Sequence, residues 1–347
     1  MIKFKKLLLI TVQAILISLL FFSQLHAQGG IEPEGIERVG LSGWQFLKIN
    51  GDARQAAMGG AFTATSHGDA GAIWGNPSAL VDVENLDMVV SYINWIADIG
   101  YQSAGVVKDF GNLGVIGLSV VSIDMGEMYE TVNEPIPGED RTRIVVTGEK
   151  FTAGDFAAGL SYAMRVTDLL SIGANVRWIH EYISGFTGEP DEHNMNNVSF
   201  DLGTTYYTGF KSLRLGMVMR NYGPDAHLAG WSQEYEAEAV DIRMPLDFRV
   251  GMAMDFFEGE ENHFLTLSLE ATHPNDGPEK VNMGAEYLLY NILALRAGYR
   301  FNYDEQSFTF GASLAYPVGN FGIRFNYAYV DFGRLLQSNL FTLGLSF

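Results

Sequence analysis

The residues of this sequence that could carry out chemistry are histidines and carboxylates, and none of them has a catalytic spacing. The sequence has no dinucleotide-binding glycine motif, no Walker loop, no zinc-protease His-Glu-x-x-His and no Gly-x-Ser-x-Gly. A lipid-facing hydrolase would need a Ser-His pair, but most histidines fall at predicted strand ends or in loops. These are His180, His193, His227, His263 and His273. We predict a protein that is not an enzyme, has no catalytic residues and uses no cofactor.

Carboxylates dominate the charge of the chain, with 41 acidic against 22 basic residues and a net charge of −19. Two acidic stretches, 124–140 and 234–241, could bind divalent cations that bridge lipopolysaccharide, but their spacing matches no calcium loop. A solvated acidic surface without a metal site is the preferred interpretation. Phosphate contacts need clustered Lys and Arg, so nucleic acid is excluded as a partner. The absence of cysteine excludes disulfides and thiolate sites.

The first 27 residues have the pattern of a secretory signal. Lys3, Lys5 and Lys6 precede an apolar run, and Leu25-His26-Ala27 forms a small-residue cleavage site. A retained membrane anchor is the alternative, which the short apolar run disfavours. After residue 30 no stretch of 18 apolar residues follows. We expect residues 1–27 to be a cleaved signal peptide and the protein to be exported.

From about residue 86 onward, apolar and polar or small residues alternate, as they do in a strand with two different faces. The segments are about ten residues long, which suits a tilted strand that crosses a bilayer. Their number is fourteen, and bacterial single-chain barrels have even strand numbers. They are 86–95, 99–109, 113–122, 153–165, 169–180, 197–209, 212–222, 244–257, 263–272, 281–290, 292–301, 306–316, 320–331 and 338–347.

The links between these segments are sorted by length. Tight turns follow most even-numbered segments, whereas the long links 123–152, 181–196 and 223–243 all follow odd-numbered ones. Outer-membrane barrels have short periplasmic turns and longer outer loops, although a lectin-like sandwich could show this sorting by chance. We predict an all-β fold, a transmembrane antiparallel barrel of about fourteen strands over residues 86–347.

The polar face of the strands indicates a wide, water-facing lumen, because fourteen strands enclose too much space for side chains alone to fill. The charges predicted to face the lumen are Arg177, Arg214, Arg220, Asp247, Arg249, Glu270, Glu286, Arg296, Arg300 and Arg324. Aromatic residues near strand ends predict girdles at the membrane interfaces. They are Tyr92, Trp95, Tyr101, Trp178, Tyr206, Tyr287, Tyr299, Tyr316, Tyr327 and Phe332. The alternating C-terminus, with Phe341, Leu343, Leu345 and Phe347, resembles the signal by which the barrel assembly machinery recognises its clients.

Residues 28–85 precede the barrel, and their central part does not alternate. The Ala-rich stretch 53–65 predicts a short helix with Asp52 as its N-cap, and Gly59-Gly60 would suit the close approach of another backbone. Such a segment ahead of a wide barrel predicts a small helical hatch inside the lumen, with Arg54 paired to a lumen carboxylate. The residues expected to seat it are Asp52, Arg54, Met58, Gly59, Gly60, Asn76 and Pro77.

The same segment resembles the start of the PorV/PorQ family of outer-membrane barrels, which are relatives of the FadL fatty-acid channels of Bacteroidetes-type bacteria. The resemblance rests on Phe46-Leu47-Lys48-Ile49, Asp52-Ala53-Arg54, Met58-Gly59-Gly60-Ala61, Ala64-Thr65, Asp69-Ala70 and Trp74-Gly75-Asn76-Pro77-Ser78. Gly75 departs from the family pattern, in which an aromatic directly precedes Asn-Pro. The resemblance implies a hatched fourteen-strand barrel in the outer membrane of a Gram-negative bacterium. Family members take part in type IX secretion, where one binds the C-terminal signal domains of cargo.

Three functions remain open at this point. The first is a secretion component that binds protein cargo or partner subunits, and the second is a FadL-like channel for hydrophobic solutes. For either, outer-loop contacts are expected at Leu228, Trp231 and Tyr235. The third is a structural barrel or a non-specific porin, against which a hatch argues. The expected partners are outer-membrane lipid, lipopolysaccharide and the barrel assembly machinery, with type IX secretion subunits or cargo domains under the first function.

Overall fold

Fourteen antiparallel strands, taken in chain order around the ring, close into one barrel in the described part of the chain. The computed structural model describes residues 40, 42–65, 68–138, 141–184, 194–226, 231–232, 237–238, 241–257, 263–319 and 321–347. Strands β1 to β14 are Leu86–Asn94, Gly100–Asp109, Val115–Pro135, Thr142–Thr167, Leu170–Ser184, Asn194–Tyr207, Arg214–Tyr222, Asp247–Phe256, His263–Pro274, Lys280–Leu289, Leu293–Phe301, Phe308–Val318, Phe321–Asp331 and Gln337–Ser346. The predicted signal peptide, 1–27, lies outside the described residues.

Alternation along each strand separates the two surfaces of the wall. On β11, for example, Leu295 is 49% exposed on the outside, whereas Arg296 is 7% exposed on the inside. The same division holds on β14, where Phe341 and Leu343 face outward and Thr342 is buried. The predicted fourteen-strand barrel with an apolar exterior and a polar lumen is therefore confirmed. No helix in the described part of the chain is long and apolar enough to cross a membrane.

The ring closes where the first strand meets the last. β1 pairs with β14 from Asp87 opposite Ser346 to Asn94 opposite Asn339. Phe347 follows β14, half-exposed on the outside, beside the ring of Phe321 with 6.1 Å between ring centroids. The C-terminal residues thus complete the wall, and their use as an insertion signal stays a prediction.

The link expected over 123–152 is instead a β-hairpin, which corrects the sequence interpretation. β3 and β4 remain paired to Pro135 opposite Thr142, well beyond the ten or so residues that a bilayer requires. The sequence signal was weak because both faces of the hairpin meet solvent, so no apolar face marks the alternation there. The pairing has irregularities between Asp124 and Glu127 and between Tyr129 and Thr131.

Three of the predicted girdle aromatics lie inside the barrel. Tyr101 is 2% exposed, Phe332 is 2% exposed, and Trp95 packs edge-on against Phe332 with 4.9 Å between the ring centroids. Proximity to a strand end did not reveal which face these residues occupy. Others, such as Tyr92 and Trp178, are half-exposed on the outer surface, where a girdle would place them.

The predicted helix is shorter than expected. Helix α1, Ala53–Ala57, begins at Asp52, whose carboxylate accepts hydrogen bonds from the Arg54 and Gln55 amides, as an N-cap does. The helix ends there because Gly59 and Gly60 adopt φ values of +68° and +82°, which turn the chain. The remaining turns are 3₁₀ helices at Gln45–Lys48, Ala70–Trp74, Pro77–Asp82, Ile96–Asp98, Gly111–Leu113 and Gly333–Leu335.

Short polar side chains start the two 3₁₀ turns that follow α1. Asp69 accepts a hydrogen bond from the Gly71 amide, and Asn76 accepts one from the Ser78 amide, with Pro77 at the first position of its turn. Gly75 separates the two turns, and a Cβ there would lie 2.7 Å from the Phe62 ring. The glycine that departs from the family pattern therefore allows the hatch to fold onto itself.

Candidate functional site

The hatch, residues 53–82, fills a cross-section of the lumen and contacts every strand. The Ala70–Trp74 turn packs against β1 to β3, and the Pro77–Asp82 turn against β4 to β6. Residues 62–64 meet β7 to β9, and Met58 meets β10. Helix α1 packs against the four remaining strands, β11 to β14. A hatch with this perimeter does not leave the lumen as an open pore.

Glycines in the wall make the close fit possible. At each of six lumen-facing positions, an added Cβ would lie 2.6 Å or less from a hatch atom. The six are Gly173, Gly203, Gly216, Gly284, Gly298 and Gly311. The closest is Gly203, where the Cβ would lie 2.1 Å from Asn76 Oδ1. The abundance of glycine in the sequence therefore has a structural cause that composition alone does not reveal.

Arg54 anchors the hatch to the wall through a carboxylate, as the sequence analysis expected. Its Nε and Nη2 donate to the two oxygens of Glu286 at 2.9 and 2.6 Å, and its Nη1 lies 3.0 Å from Asp69 Oδ2. Arg296 donates to the same Glu286 carboxylate from the neighbouring strand. All of these groups are largely buried, so the electrostatic attraction within each pair is stronger than in water. Removing one partner would leave a buried charge unpaired, which is costly.

Asn76 and Glu270 supply further anchors by satisfying hatch backbone. Asn76 is fully buried, and its Nδ2 donates to Thr63 O at 2.7 Å and to Thr204 O at 3.0 Å. Glu270 Oε2 accepts the Phe62 and Thr63 amides at 3.0 and 2.9 Å. The other predicted seat residues, Met58, Gly59, Gly60 and Pro77, are likewise buried against the wall.

The predicted lumen charges face inward, and most are paired with a charge of opposite sign on the same or a nearby strand. The pairs are Arg177 with Asp201, Arg214 with Asp255, Arg249 with Asp247 and Glu270, and Arg324 with Asp87. Arg300 instead donates to Gly59 O at 3.1 Å. Arg220 donates to Leu47 O at 3.1 Å, while its Nε and Nη1 meet no partner among the described residues.

Above the hatch, toward the longer loops, the lumen opens into a cavity of about 690 Å³, which we call the vestibule. One part of its wall is apolar, and the residues of this part are Trp44, Ile49, Trp95, Ile99 and Ile123. A cavity of this volume is within the range of small-molecule sites. The sequence does not predict the vestibule, because the residues that line it come from segments far apart in the chain.

A second part of the vestibule wall is basic and aromatic. Lys280 Nζ lies 4.5 Å from the ring centroid of Tyr303, and Arg300 Cζ lies 5.7 Å from it. Arg249 also lines this part, together with Lys48. The cations gather on β8, β10 and β11, so the vestibule is polarised.

The vestibule rim is fixed by Asp276, in the loop between β9 and β10. Its carboxylate accepts hydrogen bonds from Gln45 at 2.7 Å and from Ser42 and Lys48. Burial by itself would raise the pKa of Asp276, but these hydrogen bonds outweigh it and hold the pKa of this carboxyl below its ordinary value. The segment ahead of the hatch is thereby tied to the rim.

A third part of the vestibule wall is acidic. Asp155 on β4 and Glu181 on β5 line the cavity opposite each other in the strand register. Neither residue is predictable from the sequence, since an isolated acid at a strand end carries no signal of its own.

The outer-loop contacts predicted from the sequence lie beyond what the structure describes. Leu228 and Tyr235 are outside the described residues, and Trp231 belongs to a two-residue strand, Trp231–Ser232, that pairs with Ala237–Glu238. Among the described residues, no cluster of three or more metal-binding side chains occurs.

Comparison with known proteins finds similar structures but no similar sequences. No protein-family model and no curated protein sequence matches the chain. The toluene transporter TbuX of Ralstonia pickettii is 14% identical, with a TM-score of 0.55 over 85% of this chain and 98% of that one. The CymD monoaromatic hydrocarbon channel is 12% identical, with a TM-score of 0.54 over 86% and 98%.

A FadL homologue from Pseudomonas aeruginosa is 13% identical, with a TM-score of 0.50 over 89% of this chain and 98% of that chain. The chain has the fold of the FadL-type outer-membrane barrels. This fold agrees with the barrel and hatch that the sequence resemblance implied. The finer likeness to PorV/PorQ proteins has no counterpart among these structures.

Proposed function

We propose that the protein is an outer-membrane channel that admits small hydrophobic molecules through the vestibule and past a movable hatch. The carrying observation is the apolar part of the vestibule wall, which lies directly above a hatch that reaches every strand. An open pore would have no use for such a hatch, whereas a gated channel requires one. The names of TbuX and CymD, a toluene transporter and a monoaromatic hydrocarbon channel, support this class of solute.

Replacing Ile99 with asparagine tests the apolar wall. Ile99 lines the vestibule, and losing the apolar contact of one isoleucine removes about 1.5–3 kcal/mol at most. We expect purified Ile99→Asn protein to bind toluene about tenfold more weakly in calorimetry. Leu113, 74% exposed in a short turn at the other end of the barrel, supplies the matched control Leu113→Asn. Equal toluene affinity in the two variants would exclude the vestibule as the entry site.

A second candidate function is binding of a protein partner, as a PorV/PorQ-type component of type IX secretion would require. The feature that favours it is the tip of the β3–β4 hairpin, where Ile144 is 75% exposed and Val146 is 58% exposed. Apolar side chains on a hairpin that extends past bilayer length meet water unless a partner covers them. The same proposal includes export of the protein by its N-terminal signal and its origin in a Bacteroidetes-type bacterium.

Charging the hairpin tip tests this candidate without deleting the hairpin. In Ile144→Asp/Val146→Asp protein, we expect proteins that co-purify with the tagged barrel from native outer membranes to be lost, as mass spectrometry would show. The control is Thr142→Asp, an exposed polar position on the same strand. An unchanged set of co-purifying proteins in the double variant would argue against a partner at this surface.

A further inference from the structure

The acidic part of the vestibule wall has a defined geometry. Asp155 and Glu181 are directly opposite each other on the antiparallel strands β4 and β5, and both side chains face the lumen. Residues so paired have Cβ atoms about 4.5–5.5 Å apart. The two carboxylates can therefore reach one positively charged group between them.

This pair differs from most other carboxylates of the lumen wall because, among the described residues, no cation partners it. Asp155 is 5% exposed, and its Oδ1 accepts no hydrogen bond within the described part of the chain. In the same described ranges, neither Asp155 nor Glu181 forms an ion pair, whereas Asp201 and Asp255 each face an arginine. A buried carboxylate without a counterion is costly, so a ligand that brings a positive charge to Asp155 and to the half-buried Glu181 beside it would be stabilised there.

The surroundings of the pair are apolar. Ile123 lies opposite Asp155 on β3, and Ile179 precedes Glu181 on the same face of β5. Ala157, the next lumen-facing residue of β4, is buried as well. These neighbours add no oxygen ligands for a divalent cation, and calcium prefers six to eight of them. A monovalent cation with an apolar body fits the combination better.

We propose that Asp155 and Glu181 bind the ammonium group of a small hydrophobic amine, whose body lies on the apolar part of the vestibule wall. Trp44 lines the same cavity and adds its aromatic ring to the apolar surface on which the body of the amine would lie. In the basic part of the wall, Lys280 and Arg300 form no ion pair among the described residues, and their charges repel the ammonium and so orient it toward β4 and β5. The inference rests on the proposed function, because it names one class of solute for the same vestibule.

Calorimetry with three probes of similar size and different charge tests the site. Benzylamine is the cation, toluene the neutral probe and benzoate the anion, each titrated into the full-length barrel in an uncharged detergent at neutral pH. We expect benzylamine to bind more tightly than toluene. In Asp155→Asn/Glu181→Gln protein, benzylamine affinity should fall about ten- to a hundredfold, the size of a charge-assisted contact, while toluene affinity stays within about twofold.

The matched control is Glu279→Gln, which removes one exposed carboxylate near the same rim but outside the cavity. It should bind benzylamine as the wild type does. The double variant keeps side-chain shape, and retained toluene binding reports that its vestibule is folded; single Asp155→Asn protein provides a second reading if the double variant does not fold.

The proposal is overturned if wild-type protein binds benzylamine no better than toluene, or if the Asp155→Asn change leaves benzylamine affinity unaltered. The proposed channel function is judged separately by toluene. Absence of toluene binding in wild-type protein counts against the channel, whereas toluene binding without a preference for the amine counts against the acidic site alone.

Discussion

Gly298→Ala protein is expected to conduct ions where the wild type is closed. The new Cβ would lie 2.2 Å from Gly59 N and 2.5 Å from Met58 C, and both are backbone atoms that no side-chain rotation can move. Overpacking of this kind typically costs about 1–3 kcal/mol. Because the cost falls on the seated hatch, the equilibrium should shift about 5- to 150-fold toward the unseated state.

Planar-bilayer recordings of single barrels measure this shift as the fraction of time spent open. Gly100→Ala is the matched control, since a Cβ there meets only Asp124 O at 3.9 Å. Alanine also suits a strand better than glycine does, so a general weakening of the wall does not account for an opening. If Gly298→Ala barrels remain as closed as Gly100→Ala barrels, the wall glycines do not seat the hatch.

Glu286→Ala protein is expected to lose about 3–5 kcal/mol of unfolding free energy, the largest loss of stability that we predict. The carboxylate holds Arg54 of the hatch and Arg296 of the wall together. Its removal leaves two guanidinium groups in the lumen. Arg54 retains Asp69, whereas Arg296 retains, within the described part of the chain, only Asn326 at 3.4 Å. Unpaired buried charge is the costly outcome of breaking such a pair.

Denaturant-induced unfolding of the barrel in detergent measures the loss of unfolding free energy. Substitution of each member of the Arg54–Glu286 pair, and of both together, shows whether the loss comes from that contact. Arg54→Ala alone should also free the hatch and raise conductance. The double variant Arg54→Met/Glu286→Leu replaces the pair by apolar groups and should recover part of the lost stability. Equal stability of Glu286→Ala and wild-type protein, or unchanged conductance of Arg54→Ala protein, would show that this contact does not hold the hatch.

Features that depend on neighbours in sequence were predictable. Outside the β3–β4 hairpin, the alternation over 86–347 predicted the strands. Asp52 indicated the start of α1 because an N-cap acts within three residues. The Asn76-Pro77 turn is local in the same way. Arg54 could be assigned a carboxylate partner because a guanidinium inside the lumen favours one, although the sequence did not say which carboxylate.

Features that depend on register and on distant segments were not predictable. Gly203 and Asn76 are far apart in the chain, so the contact between them leaves no local trace. Asp155 meets Glu181 only because β4 and β5 pair in one register, and a shift by one residue would turn one of them outward. The side of the wall taken by Tyr101 and the length of the β3–β4 hairpin depend on the same three-dimensional information.

The seam between β1 and β14 is held from inside the lumen as well as by the pairing of the two strands. The hatch is bonded to both edges of that seam, since the Ala70 amide donates to Asp87 of β1 and the Ala53 amide to Thr342 of β14. The segment that precedes every strand in the sequence is therefore bonded to both the first and the last strand of the ring. A barrel that closed without the hatch would lack these two hydrogen bonds at its seam.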